Sequence, residues 1–195
     1  SDFQRETKKA RQMSDDQLMG NIQTLIRAVG EDPNREGLQR TPERFLKAFQ
    51  FLTSGYTKDP IAVIHGALFD VPYSEMVIIR NIEVYSLCEH HLLPFYGKCH
   101  VGYLPKGKII GLSKIPRLVE VFSRRLQVQE RLTVQISECL MNTLQAHGVG
   151  VVMEAHHLCM MMRGVESQNA IAQTSSLLGD FQNASTRTEF FNLIK

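Results

Sequence analysis

Apolar residues in the N-terminal part of the chain recur every three or four positions, in two runs separated by polar segments. The first run carries its apolar residues at helical spacing, at Leu18, Ile22, Leu25, Ile26 and Val29. Ser14 is suited to cap this run and Gly30 to end it. Thr41-Pro42-Glu43 is a start signal for the second run, and Gly55 is a stop. The pattern therefore predicts two amphipathic helices.

The pattern then changes to strands. Segments 76–86 and 95–104 are rich in Val, Ile and Tyr, which predicts an antiparallel hairpin. The remaining predicted elements are helices at 114–125 and 129–146, strands at 149–163 and 170–178, and a final helix at 184–194. This order predicts an α+β fold: an antiparallel four-stranded sheet with two helices between strands 2 and 3, preceded by an N-terminal helical segment. Such a sheet has open edges, which favours oligomerisation.

Composition places the chain among ordinary globular proteins. It has 195 residues, of which 43% are hydrophobic and 22% charged, with a formal net charge of +2. We expect a mobile arm at 1–13, a helical extension at 14–60 and one mixed domain at 61–195. The small net charge predicts neither nucleic-acid nor membrane partners. The chain shows no transmembrane pattern and its start has no signal-peptide core, so we expect a cytoplasmic protein.

Cysteine and histidine provide the strongest chemical signal. Cys88 and His91 are three residues apart, and Cys159 follows far downstream. Thiolate and imidazole are zinc ligands, and a catalytic zinc site keeps three protein ligands and an open fourth position. A turn at Glu89-His90 would let the first two ligands converge. The alternative is that Cys88 and Cys159 are buried core cysteines and the nearby histidines are there by chance. For Cys99 and Cys139 we expect a place in the core.

Alternation along 149–163 predicts that His157, Cys159 and Arg163 share one strand face, where a base, a metal ligand and a cation would line the same cavity. The four cysteines do not resemble a disulfide framework, which favours a reducing compartment.

A second constellation begins the helix predicted at 114–125. Ser113, Lys114 and Arg117 place a hydroxyl and two cations where free backbone N–H groups already favour anions, so a phosphate-rich ligand would fit. The alternative is a simple N-cap with solvated cations. Glu130, in the first turn of the next helix, suits the helix dipole, or alternatively accepts two donors from a guanine edge.

Taken together, these residues resemble the GTP cyclohydrolase I family, from about residue 36 to the C-terminus. The resemblance is carried by ordered motifs: Glu36-Gly37-Leu38, Thr41-Pro42-Glu43-Arg44, Ser86-Leu87-Cys88-Glu89-His90-His91, Gly111-Leu112-Ser113-Lys114, Arg124-Arg125-Leu126-Gln127-Val128-Gln129-Glu130-Arg131-Leu132, His157-Leu158-Cys159 and Met162-Arg163-Gly164-Val165. Members of this family are zinc enzymes that convert GTP into 7,8-dihydroneopterin triphosphate and formate, at the head of folate and tetrahydrobiopterin synthesis.

The resemblance implies a role for each matching residue. Zn²⁺ would be held by Cys88, His91 and Cys159. The acid–base groups would be His90 and His157, with Ser113 a further candidate for the late proton transfers. Guanine would be anchored by Glu130, helped by Gln129, and the triphosphate would be held by Ser113, Lys114, Arg117 and Arg163.

The resemblance also implies an architecture. Segment 61–195 would be a tunnelling-fold catalytic domain, in which five subunits close their sheets into a barrel and two rings stack into a homodecamer. Active sites would form where subunits meet, and closure would remove the open sheet edges. The sequence leaves open whether a partner protein or an end product regulates the enzyme.

One stretch departs from the family pattern. Many members carry a Ser/Thr-rich run where this chain has Ala170 and Ala172, so ligand affinity or assembly could differ. Two alternatives stay open: another tunnelling-fold enzyme acting on a purine or pterin, and a catalytically silent zinc-binding scaffold. The scaffold would need neither His90 nor His157, and both are present.

Overall fold

A computed structural model describes residues 13–195 of the chain. The arm expected at 1–13 lies, except for its last residue, outside the described part. The chain separates into two compact units, the first ending at Phe51 and the second spanning Leu52–Lys195. The division at residue 60 that the sequence suggests stays a prediction.

Two helices account for most of the first unit. Helix α1 spans Asp15–Ala28, and helix α2 spans Thr41–Leu52 and continues one residue past the boundary of the unit. Ser14 caps α1 as predicted: its hydroxyl accepts from the Gln17 backbone N–H, and the Gln17 side chain accepts from the Ser14 N–H. Both helices predicted from the N-terminal pattern are therefore confirmed.

A five-stranded sheet organises the second unit. Its strands are β2 (Val77–Cys88), β3 (Pro94–Leu104), β5 (Leu126–Gln127), β6 (Gly148–His157) and β7 (Ala172–Gly179), in the spatial order β5-β2-β3-β6-β7. The pairings among β2, β3, β6 and β7 are antiparallel, and the short β5 is parallel to the end of β2. A separate antiparallel pair joins β1 (Leu68–Asp70) to β4 (Lys108–Ile110).

Helices complete the second unit. They are α3 (Pro60–Ile64), α4 (Lys114–Ser123), α5 (Gln129–Leu144), α6 (Leu158–Met161) and α7 (Ala184–Leu193), with 3-10 turns at Ser54–Thr57 and Asp180–Gln182. Helices α4 and α5 cover one sheet face, and their apolar residues join those of β2, β3 and β6 in the main core. A smaller cluster built around Phe181 and Phe190 packs on Val152. Apolar burial on the sheet is the main source of stability here.

The predicted α+β layout is confirmed. All four predicted strands are present, with α4 and α5 between the second and third, and the final helix is present. The pattern did not indicate β5 or the β1–β4 pair, which contain only two or three residues each.

One predicted strand is too long. We predicted alternation through residue 163, but β6 ends at His157 and Leu158–Met161 is a helical turn. The ladder stops because His157 pairs with Phe95, next to the first residue of β3, Pro94, which has no N–H to donate. The prediction that His157, Cys159 and Arg163 share a strand face was therefore wrong. Within the described residues, no helix is both long and apolar enough to cross a bilayer.

Candidate metal centre and acid–base site

A tight turn follows β2 and brings two predicted ligands together. Cys88 is the last residue of β2, and its carbonyl accepts from the N–H of Leu92 at 2.8 Å. Leu92 has a positive φ of 55°, which reverses the chain. As a result, His91 Nδ1 lies 3.8 Å from Cys88 Sγ. The convergence that the sequence predicted at Glu89-His90 is present.

Cys159 comes from the helical turn after β6. Its Sγ and the ligand atoms of Cys88 and His91 all lie within 4.8 Å of one another. In residues 13–195, these three side chains, here called the metal group, are the one set of at least three His, Cys, Asp or Glu residues close enough to share an ion. Two sulfurs and one imidazole nitrogen fit a tetrahedral zinc site with an open fourth position.

The thiols of the metal group favour a cation between them. Burial raises the pKa of Cys159, and the neighbouring Cys88 sulfur raises it further, since two adjacent thiolates repel each other. A bound divalent cation would offset that repulsion and keep both sulfurs ionised. The donor set and its electrostatics therefore both suit Zn²⁺.

Two further predicted residues lie beside the metal group. His90 Nδ1 is 4.0 Å from Cys88 Sγ, and its ring is exposed to solvent. Arg163 Nη1 lies 3.3 Å from His91 Nε2, so the guanidinium reaches the metal group from the loop after α6. His90 and Arg163 are thus brought to the centre even though the strand expected to carry Arg163 ends earlier.

An ion pair secures the turn that holds His90 and His91. Arg131, from the first turn of α5, donates to the Glu89 carboxylate, and this hydrogen bond lowers the pKa of Glu89. Arg131 Nε also donates to Gln127 Oε1 at 3.2 Å, and the Glu89 N–H donates to the Gln127 carbonyl at 3.0 Å. The turn is therefore tied to β5 and α5. Sequence patterns gave no sign of this contact between residues 42 positions apart.

His157 occupies a second, more enclosed place. Its Nε2 lies 2.7 Å from Gln129 Oε1, and its ring stacks on Phe95 at 4.7 Å between centroids. Burial lowers the pKa of His157, while the nearby Glu130 carboxylate opposes that shift. Gln129 begins α5 and is only 2% exposed, whereas Glu130 is exposed. We call His157, Gln129, Thr174 and Thr133 the histidine network.

Thr174 and Thr133 extend this network between β7 and α5. The Gln129 side-chain nitrogen donates to Thr174 Oγ1 at 3.2 Å, and Thr174 Oγ1 lies 2.7 Å from Thr133 Oγ1. One helical turn later, Ser137 and Ser176 make the same kind of contact at 2.7 Å. The sequence contains a signal of these contacts. Thr174 and Ser176 are two residues apart on a strand, and Thr133 and Ser137 are four residues apart on a helix, so each pair lies on one face of its element. We did not use it.

The predicted phosphate-binding residues lie elsewhere on the chain. Ser113 is the N-cap of α4, with Lys114 and Arg117 in its first turn. Ser113 directly follows Leu112, which lines a cavity with Val77 and Tyr103 at the beginning of β2. Cys88 ends the same 12-residue strand, about 35 Å away at roughly 3.3 Å per residue. Within one chain, the start of α4 at Ser113 and Lys114 therefore lies far from the metal group.

Comparison with known proteins identifies the family of the chain. The family model for GTP cyclohydrolase I matches residues 18–195. GTP cyclohydrolase 1 of Parabacteroides distasonis is 54% identical over 196 residues, which covers 100% of this chain and 98% of that protein. The protein of the same name from Leptospira biflexa is 59% identical, covering 89% and 96%, and that from Chlorobaculum tepidum is 56% identical, covering 92% and 83%. With its predicted tunnelling fold, this chain belongs to the GTP cyclohydrolase I family.

Proposed function

We propose that this protein catalyses the GTP cyclohydrolase I reaction: hydrolytic opening of the imidazole ring of GTP, release of formate and rearrangement to 7,8-dihydroneopterin triphosphate. The observation that carries the proposal is the metal group together with the neighbouring histidines, in a chain of this family. The function would be the first step of folate or biopterin synthesis, in the cytoplasm.

Cys88, His91 and Cys159 would hold Zn²⁺. When bound, the ion supplies a water of lowered pKa, which is a nucleophile near neutral pH for attack on C8 of the purine. His91 faces the Cys88 sulfur through Nδ1, so coordination by this atom keeps the ring proton on Nε2. Nε2 then cannot accept from Arg163, which leaves the guanidinium available for a phosphate.

His157 and His90 would move protons. His157 is half-buried and its pKa is lowered, so its neutral form is favoured near pH 7 and it carries an extra proton only transiently during the reaction. In this role it exchanges a proton with N7 of the purine during ring opening. His90 is exposed beside the metal group and suits the second hydrolysis, in which formate leaves. Ser113 is a candidate for the later transfers around the ribose.

Glu130 would recognise guanine, helped indirectly by Gln129, whose buried amide contacts His157 rather than solvent. Its carboxylate is exposed, is close enough to raise the pKa of His157, and lies in the first turn of α5. A carboxylate can accept from both N1–H and the exocyclic amine of guanine, an edge that adenine does not present. Recognition of the base and protonation of its imidazole ring would then occur within one small region.

Triphosphate binding points to an oligomer. Ser113 and Lys114 begin α4 near the start of β2, and the metal group lies at the other end of that strand, which is about 35 Å long. We propose that a second copy supplies these two residues and Arg117 to the metal group of the first, while Arg163 acts from the same chain. A homodecamer of two pentamers, with sites at subunit interfaces, satisfies this requirement and would cover the open edge of β7 and the part of β2 that the short β5 leaves unpaired.

The decisive experiment is turnover of GTP by the zinc-loaded protein. Formate release and the near-ultraviolet absorbance of the pterin product should both appear, and both should stop when a chelator removes the metal. ATP is the matched control and should give neither product. A zinc-loaded protein that leaves GTP intact would refute the proposal.

Assembly can be tested separately. Mixing the Lys114→Ala and Cys88→Ser variants, both inactive alone, should restore part of the activity, because some interfaces then combine an intact copy of each half-site. Sedimentation of the mixture checks that the copies have exchanged. Exchange without any regained turnover would refute the shared site.

A further inference from the structure

The side-chain amide of Gln129 has hydrogen-bonding partners inside the protein at both of its ends. Its nitrogen lies 3.1 Å from the Met153 carbonyl oxygen, 3.0 Å from the Ala172 carbonyl oxygen and 3.2 Å from Thr174 Oγ1, and its two protons are shared among these three acceptors. Its oxygen lies 2.7 Å from His157 Nε2. Because Gln129 is 2% exposed, water does not compete for these contacts.

These partners determine the positions of the oxygen and the nitrogen of the Gln129 amide. Backbone carbonyls can only accept, so the end facing Met153 and Ala172 must be the NH₂ group. Rotating the amide by 180° would bring its oxygen against two carbonyl oxygens and leave buried groups unpaired, which is costly. The end facing His157 must therefore be the oxygen, which only accepts.

The orientation of the amide decides the state of the histidine. An acceptor at 2.7 Å requires a proton on His157 Nε2. A neutral imidazole carries one proton, so Nδ1 of His157 is then the unprotonated nitrogen. The Phe95 ring, nearly parallel at 10° and 0% exposed, holds the imidazole plane in place.

We infer that Gln129 is a positioning residue that locks His157 in the Nε2–H tautomer and makes Nδ1 the atom that exchanges a proton with substrate. This deepens the acid–base role of His157 and so rests on the proposed function. In the reaction, Nδ1 takes or gives one proton while the hydrogen bond from Nε2–H to Gln129 stays intact. The imidazole therefore changes between its neutral and cationic forms without rotation of the ring.

The hydrogen bonds of the two threonines agree with this orientation of the Gln129 amide. The Thr133 hydroxyl donates to the Gln129 carbonyl at 2.7 Å, so the Thr174 hydroxyl must be the donor in the 2.7 Å contact with Thr133. Thr174 then accepts from the Gln129 side chain, which closes a ring of directed hydrogen bonds. The Thr133 and Thr174 hydroxyls each carry one proton, and this arrangement gives each of those protons one acceptor.

The test measures the tautomer directly. The zinc-loaded protein is labelled with ¹⁵N-histidine, and solid-state NMR of the sedimented material distinguishes protonated from unprotonated ring nitrogens. The His157 signals are those that vanish in His157→Ala. We expect Nε2 protonated and Nδ1 unprotonated in the unaltered protein. A His157 with its proton on Nδ1 would overturn the inference, whether or not any variant folds.

The variant Gln129→Met keeps side-chain size and removes both hydrogen-bonding ends. We expect a mixture of His157 tautomers, a fall in kcat of about 100-fold or more, and a KM for GTP within about threefold of the unaltered value. The matched control is Ser137→Ala, which removes a hydroxyl contact between the same helix and strand but touches neither His157 nor Gln129. Its His157 spectrum and kcat should match those of the unaltered protein.

Two results with a folded, zinc-loaded Gln129→Met protein would refute the inference. One is an unchanged His157 tautomer. The other is a raised KM with an unchanged kcat, which would assign Gln129 to guanine binding alone. Failure of the unaltered protein to turn over GTP would refute the proposed function instead, and the two failures are distinguishable because the spectrum requires no turnover.

Discussion

The metal group and the histidine network lie at neighbouring ends of β2, β3 and β6, yet they are built in opposite ways. The metal group comes from a turn after β2 and a helical turn after β6, and its His91 is exposed. Its two sulfurs would repel each other as thiolates, so Cys159 favours the neutral thiol unless a cation lies between them. In the histidine network, Gln129 and Thr133 are buried between α5 and the sheet, His157 and Thr174 are partly exposed, and the side chains hydrogen-bond to one another and to the backbone. A bound cation is needed to complete the metal group, whereas folding alone completes the histidine network.

The largest expected effect is loss of the metal group. Cys159→Ser should lose Zn²⁺ and essentially all GTP turnover together, because two remaining ligands are too few for a catalytic zinc site. Metal analysis and formate release on the same sample measure both. The matched control is Cys139→Ser, a half-buried cysteine outside the metal group, which should retain metal and activity. A zinc-loaded Cys159→Ser protein would refute the assignment of this ligand.

Removing His157 should reduce turnover without affecting zinc binding by the metal group. His157→Ala is expected to keep its zinc, since the metal group does not use this side chain, and to lose about 100- to 10,000-fold in kcat, the usual contribution of a general acid–base group. The exposed His65 is the control, and His65→Ala should change neither quantity. If His157→Ala turned over GTP at the normal rate, this histidine would have no part in the mechanism.

A smaller effect should follow from loosening the turn of the metal group. Arg131→Met removes the ion pair to Glu89, so zinc affinity should fall by about 10-fold, in the usual range for groups that support metal ligands. With excess zinc, kcat should recover, because the ligands themselves remain. Competition with a chelator gives the affinity. Arg40→Met breaks an exposed ion pair in the first unit and should leave zinc affinity unchanged.

The smallest effect tests burial of a histidine outside the site. His100 on β3 is 5% exposed, and burial lowers its pKa, aided by Lys98 and Arg80 and opposed by Glu154. As pH falls through about 6.5, unfolded chains bind a proton at this position while the folded protein does not. The free energy of unfolding should therefore decrease on acidification below that pH and be fully retained above it.

Denaturant unfolding at several pH values measures this dependence. His100→Asn keeps a short acceptor for the Asn81 N–H but cannot titrate, so its stability should decline less between pH 6.5 and more acidic values. Identical pH profiles for both proteins would show that His100 contributes nothing to acid sensitivity.

Sequence analysis predicted the regular elements and the metal group well, for identifiable reasons. Cys88 and His91 are three residues apart, and long apolar runs such as α5 and β6 carry strong periodicity. The helical turn at Leu158–Met161 was missed because consecutive methionines satisfy a strand pattern and a helix pattern equally well. The family resemblance supplied the acid–base roles that spacing alone left open.

The histidine network could not be predicted residue by residue. Gln129 holds its orientation through the carbonyls of Met153 and Ala172, and a backbone carbonyl is present whatever the side chain. Our concern about the hydroxyl missing at Ala172 therefore does not extend to this contact, because the carbonyl that Gln129 uses is retained. The hydroxyls that do reach α5 belong to Thr174 and Ser176.

The pairing of β7 with β6 carries a consequence for preparing the protein. Ala172 is opposite Ala155 and Thr174 is opposite Met153, and β7 is an edge of the sheet in the single chain. A slip of one residue would turn Thr174 and Ser176 away from α5 and bring Gln173 and Ser175 inward. Refolded molecules with that error would keep their helices and their zinc ligands, and would contaminate a sample as metal-loaded but inactive enzyme.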